Sequence, residues 1–123
     1  MARIEFAEIF VVNLAPKVVR VDAIQQFVSQ ETVIVRMHDA EGARGTGYSY
    51  TIGTGGSSVV ALLADHLLPE LIGREAEEIE AIWRDLKFHT PATTVCAHTS
   101  LALAAIDTAL WDLRTTPARL PLH

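Results

Sequence analysis

Cysteine is almost absent from this chain: Cys96 is the only one in 123 residues. That excludes a disulfide framework and any zinc site built on cysteines. Basic residues are also scarce, 10 Lys plus Arg against 15 Asp plus Glu, a net charge of −5. A nucleic-acid partner ordinarily meets a basic face, so none is expected. No apolar run approaches the roughly 18–20 residues that cross a bilayer, so no membrane partner is expected either. Glu5 and Glu8 interrupt the N-terminus, unlike a secretory leader. Glycine and proline are few, 7 and 5, while half the residues are apolar. Disordered, collagen-like and low-complexity chains are thereby excluded. The expectation is one soluble, cytoplasmic domain, short for an enzyme that encloses its substrate.

What is present falls into two halves. Ile4, Phe6 and Ile9–Val12 read as a strand ending at Asn13, bulged near Ala7 where the period slips. Residues 14–26 have no clear period and form a long loop, a candidate functional loop. Residues 31–38 are rich in β-branched side chains, Asp39 to Gly42 carry turn chemistry, and residues 45–52 follow as a third strand. Residues 31–52 are therefore an antiparallel hairpin. After Gly53–Ser58 the period changes. Ser57 or Ser58 caps a helix with Val59, Val60, Leu62, Leu63, Leu67 and Leu68 on its stripe, ended by Pro69 or Gly73. A second helix starts near Glu75, with Ile79, Ile82, Trp83 and Leu86 as its apolar face. A loop spans 88–94. The third helix runs from Ala97 to Arg114, with Leu103, Ile106, Leu110 and Leu113 on one face and alanines that allow close helix packing. Strands followed by helices imply α+β: a three-stranded antiparallel meander, then about three helices.

Chemical motifs are thin. Gly53-Thr-Gly55-Gly56-Ser-Ser58 places serine where a dinucleotide fingerprint needs its third glycine, and no Gly-Lys-Ser/Thr triplet exists. It reads as a strand-to-helix turn that lines a ligand pocket. Gly47-Tyr-Ser49-Tyr-Thr51 lacks the second glycine of a nucleophile elbow, and Ser49 lies mid-strand. Asp107 and Asp112 are rotated about 140° apart on a helix and do not share a face. Asp107 and Trp111 do, and Asp107 reads as a structural partner at a buried seam. The five histidines are scattered, so no metal site is expected. His66 and Glu70 are four apart without a third ligand. Cys96 and His98 share a face on a strand and diverge at a helix start; a catalytic pair needs a third orienting group that the sequence does not place, so Cys96 reads as a packed thiol.

Four segments together resemble a known family. They are Gly47–Gly56 after the hairpin, His66-Leu-Leu-Pro-Glu-Leu-Ile-Gly73, Ile79-Glu-Ala-Ile-Trp-Arg-Asp-Leu86 and Ser100–Leu113. In that order they resemble the N-terminal capping domain of the mandelate racemase/muconate-lactonizing enzyme branch of the enolase superfamily. Ala-Ile-Asp-Thr-Ala-Leu-Trp-Asp-Leu is the most specific string, and the resemblance covers almost the whole of 1–123. It implies a cap paired with a modified TIM barrel. Such enzymes abstract the proton α to a carboxylate and stabilise the enediolate on Mg²⁺, giving racemisation, cycloisomerisation or dehydration, often of sugar acids. The family's reacting groups and metal ligands sit on barrel strands. The resemblance therefore implies no catalytic and no metal residue within this chain, and a catalytically incomplete fragment with the barrel absent.

The resemblance does carry over two cap loops, around Leu14–Ile24 and Tyr50–Gly56, which close over the barrel mouth as a lid. Within them Val18, Arg20, Tyr50, Ile52 and Thr54 are the substrate-facing candidates, Arg20 as a partner for an acidic substrate. Arg114-Thr-Thr-Pro-Ala-Arg119 departs from the family's Gly-Lys-rich connector, and Arg119 stands where glycine is common. The competing expectations are a stand-alone binding or oligomerisation module, and a small enzyme using Ser49 or Cys96. A homo-oligomer is expected for the capping domain and for the stand-alone module.

Overall fold

The computed structural model describes residues 2–24, 26–27 and 29–122. Strand β1 (Ile4–Leu14) pairs antiparallel with β4 (Gln30–Asp39), which pairs antiparallel with β5 (Arg44–Ile52). The sheet order β1-β4-β5 is the expected meander. One excursion interrupts it. Within the long loop, β2 (Arg20–Val21) and β3 (Gln26–Phe27) pair as a two-residue ladder. Two residues per strand carry no readable period, so this ladder had no sequence signal.

The bulge in β1 lies at Glu5, between the Ile4↔Asp39 and Phe6↔His38 pairs, and not near Ala7. It turns Ile4 inward and Phe6 outward. Ile4 is held there because residues 73–76 run along the start of β1: Ile4 N–H donates to the Arg74 carbonyl at 2.9 Å, and Gly73 N–H donates to the Ile4 carbonyl at 2.8 Å. The β4–β5 turn closes as its residues demand. The Asp39 carboxylate accepts the amides of Glu41 and Ala43 at 3.0 and 2.8 Å, and Gly42 takes φ 89°.

Three helices lie on one side of the sheet, the first and third packed directly on it and the second against the third. Helix α1 (Gly56–Leu62) is capped by Gly55 at φ 95° rather than by Ser57 or Ser58. It passes into a π turn (Leu63–Leu67) and a 3₁₀ turn (Leu68–Leu71), with Pro69 inside the latter. Helix α2 (Ile79–His89) begins four residues after Glu75, because residues 75–78 form a turn. Helix α3 (Ala97–Thr115) lies across β5 and β4.

The core combines Val33, Val35 and Met37 from β4 with Leu63, Leu67, Ile82, Leu86, Ile106, Leu110 and Leu113 from the helices. Trp83 departs from the expected α2 face and is half-exposed. The alanines of α3 seat the helix on the sheet. A Cβ on Gly45 or Gly47 of β5 would overlap the backbone of Ala109 or Ala105. With no side chain between them, helix and strand approach backbone to backbone. The opposite sheet face has no cover among the described residues. It carries Phe6, Phe10 and Tyr48, with Phe6 stacked on His38 at 4.1 Å and His38 paired to Glu8 at 2.7 Å.

Candidate functional site

The last residues of β5 run beside the long loop that follows β1. Between them lies an open cleft of about 540 Å³, lined by Pro16, Lys17, Val18, Arg20, Ser29, Gln30, Tyr50 and Ile52. Four of the five candidates from the sequence, Val18, Arg20, Tyr50 and Ile52, line it. Thr54 is exposed on the adjoining loop and does not. Lys17 and Arg20 are both present, and neither forms an ion pair among the described residues. The cleft is thus a half-apolar trough with two available cations, a lining that suits an anion with a polar body.

The Gly53–Gly55 loop is held from below by a residue the sequence reading passed over. Glu31, at the start of β4, pairs across the ladder with Thr51. Its Oε2 accepts the Thr51 hydroxyl at 2.8 Å and the Gly56 amide at 2.8 Å. The carboxylate thereby satisfies one free amide at the start of α1 and pins the loop leading to it. Gly56 is needed for this approach, since a Cβ there would meet the Glu31 carboxylate. Gly53 N–H donates to the Ser29 carbonyl at 3.1 Å, tying the loop's other end. Gly53 and Gly55 sit at φ 72° and 95°, the left-handed region glycine enters without strain. The hairpin register, fixed by the turn at Asp39–Gly42, pairs Glu31 with Thr51 and was a signal the sequence reading left unused.

Other candidates fall differently. Ser49 is buried and its hydroxyl donates to the Leu101 carbonyl, so it serves packing. Cys96 and His98 do not diverge: Cys96 has extended backbone at the helix cap, and its Sγ lies 3.6 Å from His98 Nδ1. Cys96 is only partly covered, so it is not a packed core thiol. Glu70 faces His89 at 3.7 Å rather than His66. The structural role expected of Asp107 falls to Asp112 instead. Asp112 is the structural partner, accepting the Thr46 amide at the free side of β5 at 2.8 Å. Asp107 makes no hydrogen bond or ion pair among the described residues, and burial raises its pKa. Among the described residues no three His, Cys, Asp or Glu side chains gather to hold a metal. No helix among them is long and apolar enough to cross a membrane.

Comparison with known proteins matches this geometry to a family. The mandelate racemase/muconate lactonizing enzyme N-terminal domain matches residues 6–123. The chain is 39% identical over 92 residues to the 3,6-anhydro-alpha-L-galactonate cycloisomerase of Streptomyces coelicolor, covering 75% of this chain and 26% of that protein. It is 38% identical over 91 residues to a D-mannonate dehydratase of Rhizorhabdus wittichii, covering 74% of this chain and 22% of that protein. A racemase from Streptomyces coelicolor with bound magnesium superposes with a TM-score of 0.89 at 31% identity, over 94% of this chain and 32% of that one. An L-talarate dehydratase from Polaromonas, complexed with Mg and L-glucarate, gives a TM-score of 0.90 at 26% identity, over 99% and 34%. The chain spans about a quarter of the length of these curated relatives. It belongs to the mandelate racemase/muconate lactonizing enzyme N-terminal domain family, on a branch of the enolase superfamily.

Proposed function

We propose that residues 1–123 act as the capping, specificity-setting domain of a Mg²⁺-dependent sugar-acid dehydratase or racemase of the cytoplasm. The chemistry, abstraction of the proton α to a carboxylate, then belongs to a barrel outside this chain. The observation that supports the reading most is the cleft, where Lys17 and Arg20 stand beside Tyr50 and Ile52. In this role Arg20 pairs with the substrate carboxylate, while Val18, Tyr50, Ile52 and Thr54 form the apolar and polar rim of a lid that excludes water. Glu31 is a positioning residue for that lid. Both solved relatives named above carry magnesium. The described residues offer no matching carboxylate set, so no step through the ion is assigned to this chain.

The test has two arms. Incubated with Mg²⁺ and a panel of sugar acids in deuterated water, the 123-residue chain exchanges no α-proton. Grafted in place of the matching segment of the Streptomyces cycloisomerase, it shifts which acid sugar that enzyme prefers, and Arg20→Ala in the graft raises KM with kcat little changed. Exchange by the chain alone, or a graft whose preference does not move, overturns the reading. A second reading, self-association without catalysis, is favoured by the uncovered row of Phe6, Phe10 and Tyr48. It expects a dimer or larger species by light scattering, and a clean monomer removes it.

A further inference from the structure

Between α2 and α3, away from the loop cleft, lies a second hollow of about 250 Å³ lined by Ile79, Glu80, Trp83, Asp107 and Trp111. It is smaller than the roughly 300 Å³ at which drug-sized pockets begin, and so fits one side chain. Its composition is unusual for a surface dimple. Trp83 and Trp111 are 40% and 38% exposed, although tryptophan gains most from burial. Both carboxylates, Glu80 and Asp107, lack an ion-pair partner among the described residues. The neighbouring groove, which shares Ile79, Glu80 and Trp111, contains the chain's own Arg84 and Arg114; the hollow contains no cation.

We propose that this hollow is a docking socket for an arginine side chain carried by a protein surface packed across α2 and α3. The guanidinium lies against the indoles of Trp83 and Trp111 and pairs with Asp107. The charge argument selects a cation, because two unpaired carboxylates and two π systems all attract positive charge. The shape argument selects arginine, whose planar group stacks on aromatic rings and meets a carboxylate through two parallel hydrogen bonds. The indoles already act as cation platforms: Lys87 lies 5.2 Å from the Trp83 ring and Arg114 5.5 Å from the Trp111 ring. Neither of those cations lines the hollow, which leaves it for an outside group. In the relatives most of the chain lies outside the matched segment, so a further protein surface beside such a domain is the ordinary case. The socket is independent of the loop cleft and does not rest on the capping role.

Trp83 and Trp111 are the chain's two tryptophans, so intrinsic fluorescence reports this socket directly. The experiment titrates the 123-residue chain with the blocked peptide acetyl-Gly-Arg-Gly-amide, its neutral citrulline analogue and tetramethylammonium. The arginine peptide gives a saturable change with a dissociation constant of roughly millimolar order, the range one charged side chain reaches alone. The citrulline peptide binds weaker by about fivefold or more. Asp107→Asn, nearly isosteric, narrows the difference between the two peptides to what Glu80 and the indoles still supply, while helical circular dichroism is unchanged. Equal binding of arginine and citrulline peptides overturns the proposal without needing any variant. So does tetramethylammonium binding as tightly as the arginine peptide, which marks a small-cation pocket, or a signal that does not saturate by about 50 mM.

Discussion

Arg119 shows what it costs for a single residue to hold a backbone conformation that favours glycine. It is the only non-glycine residue at positive φ among those described, at 55°. Its amide donates to the Thr116 carbonyl at 3.1 Å, and the Leu120 amide donates to the Thr115 carbonyl at 3.1 Å. This pair of bonds is a Schellman closure of α3, with Arg119 in the left-handed position that glycine usually fills. The resemblance marked Arg119 as standing where glycine is common, and the backbone supplies the reason. Arg119→Gly is expected to stabilise the chain by about 0.5–1 kcal/mol, since relief of left-handed strain outweighs the extra freedom of unfolded glycine. A urea midpoint that falls on this substitution would contradict that account. Other single residues were less legible. Helical spacing separated Asp107 from Asp112 but could not say which faced the sheet. That depended on how α3 rolls on β5, a fact of tertiary packing.

At the scale of elements, the contact between α3 and β5 organises the fold. The alternating glycines Gly45 and Gly47 point at α3, and Ala105 and Ala109 answer from the helix. Gly47→Ala is expected to cost about 3 kcal/mol or more, because the added methyl meets backbone that cannot step aside. Ile106, 2% exposed on the same helix, should cost about 2–5 kcal/mol as Ile106→Ala. Both are read by chemical denaturation. Equal, small losses at the two sites would mean that α3 does not sit on the sheet this way. The β4–β5 hairpin and α3 were legible because their periods are long and their turn residues unambiguous. The helix after Gly56 was legible as a stripe but not as three successive helical forms. Its start also shifted, because a distant carboxylate, Glu31, and a left-handed Gly55 replace the expected serine cap. The loop cleft was legible in part. The two loops came from missing periodicity and a glycine cluster, whereas Glu31, Lys17 and Gln30 entered only once the hairpin and long loop were set side by side.

For the whole molecule, the distribution of charge gives stability a pH dependence with a definite sign. Among the described residues Asp107 has its pKa moved upward, because burial beside the two tryptophans penalises its charged form. A carboxyl that holds its proton more tightly folded than unfolded makes the folded state bind more protons in the window between its two pKa values. Stability therefore falls as pH rises through that window. Above it Asp107 is charged in both states, and its desolvation penalty is fully present at neutral pH. Asp107→Asn removes that penalty, so the variant should unfold at a higher temperature than the parent chain at pH 7. The gap should close as pH falls through the folded pKa toward the ordinary aspartate range. A bound arginine peptide reverses the comparison at pH 7, because the carboxylate then gains a cation that asparagine cannot hold. Thermal unfolding of both proteins from pH 7 down to pH 4, with and without the peptide, checks the sign at each step. A parent chain more stable than the variant at pH 7 without peptide would show that Asp107 already has its cation within the fold.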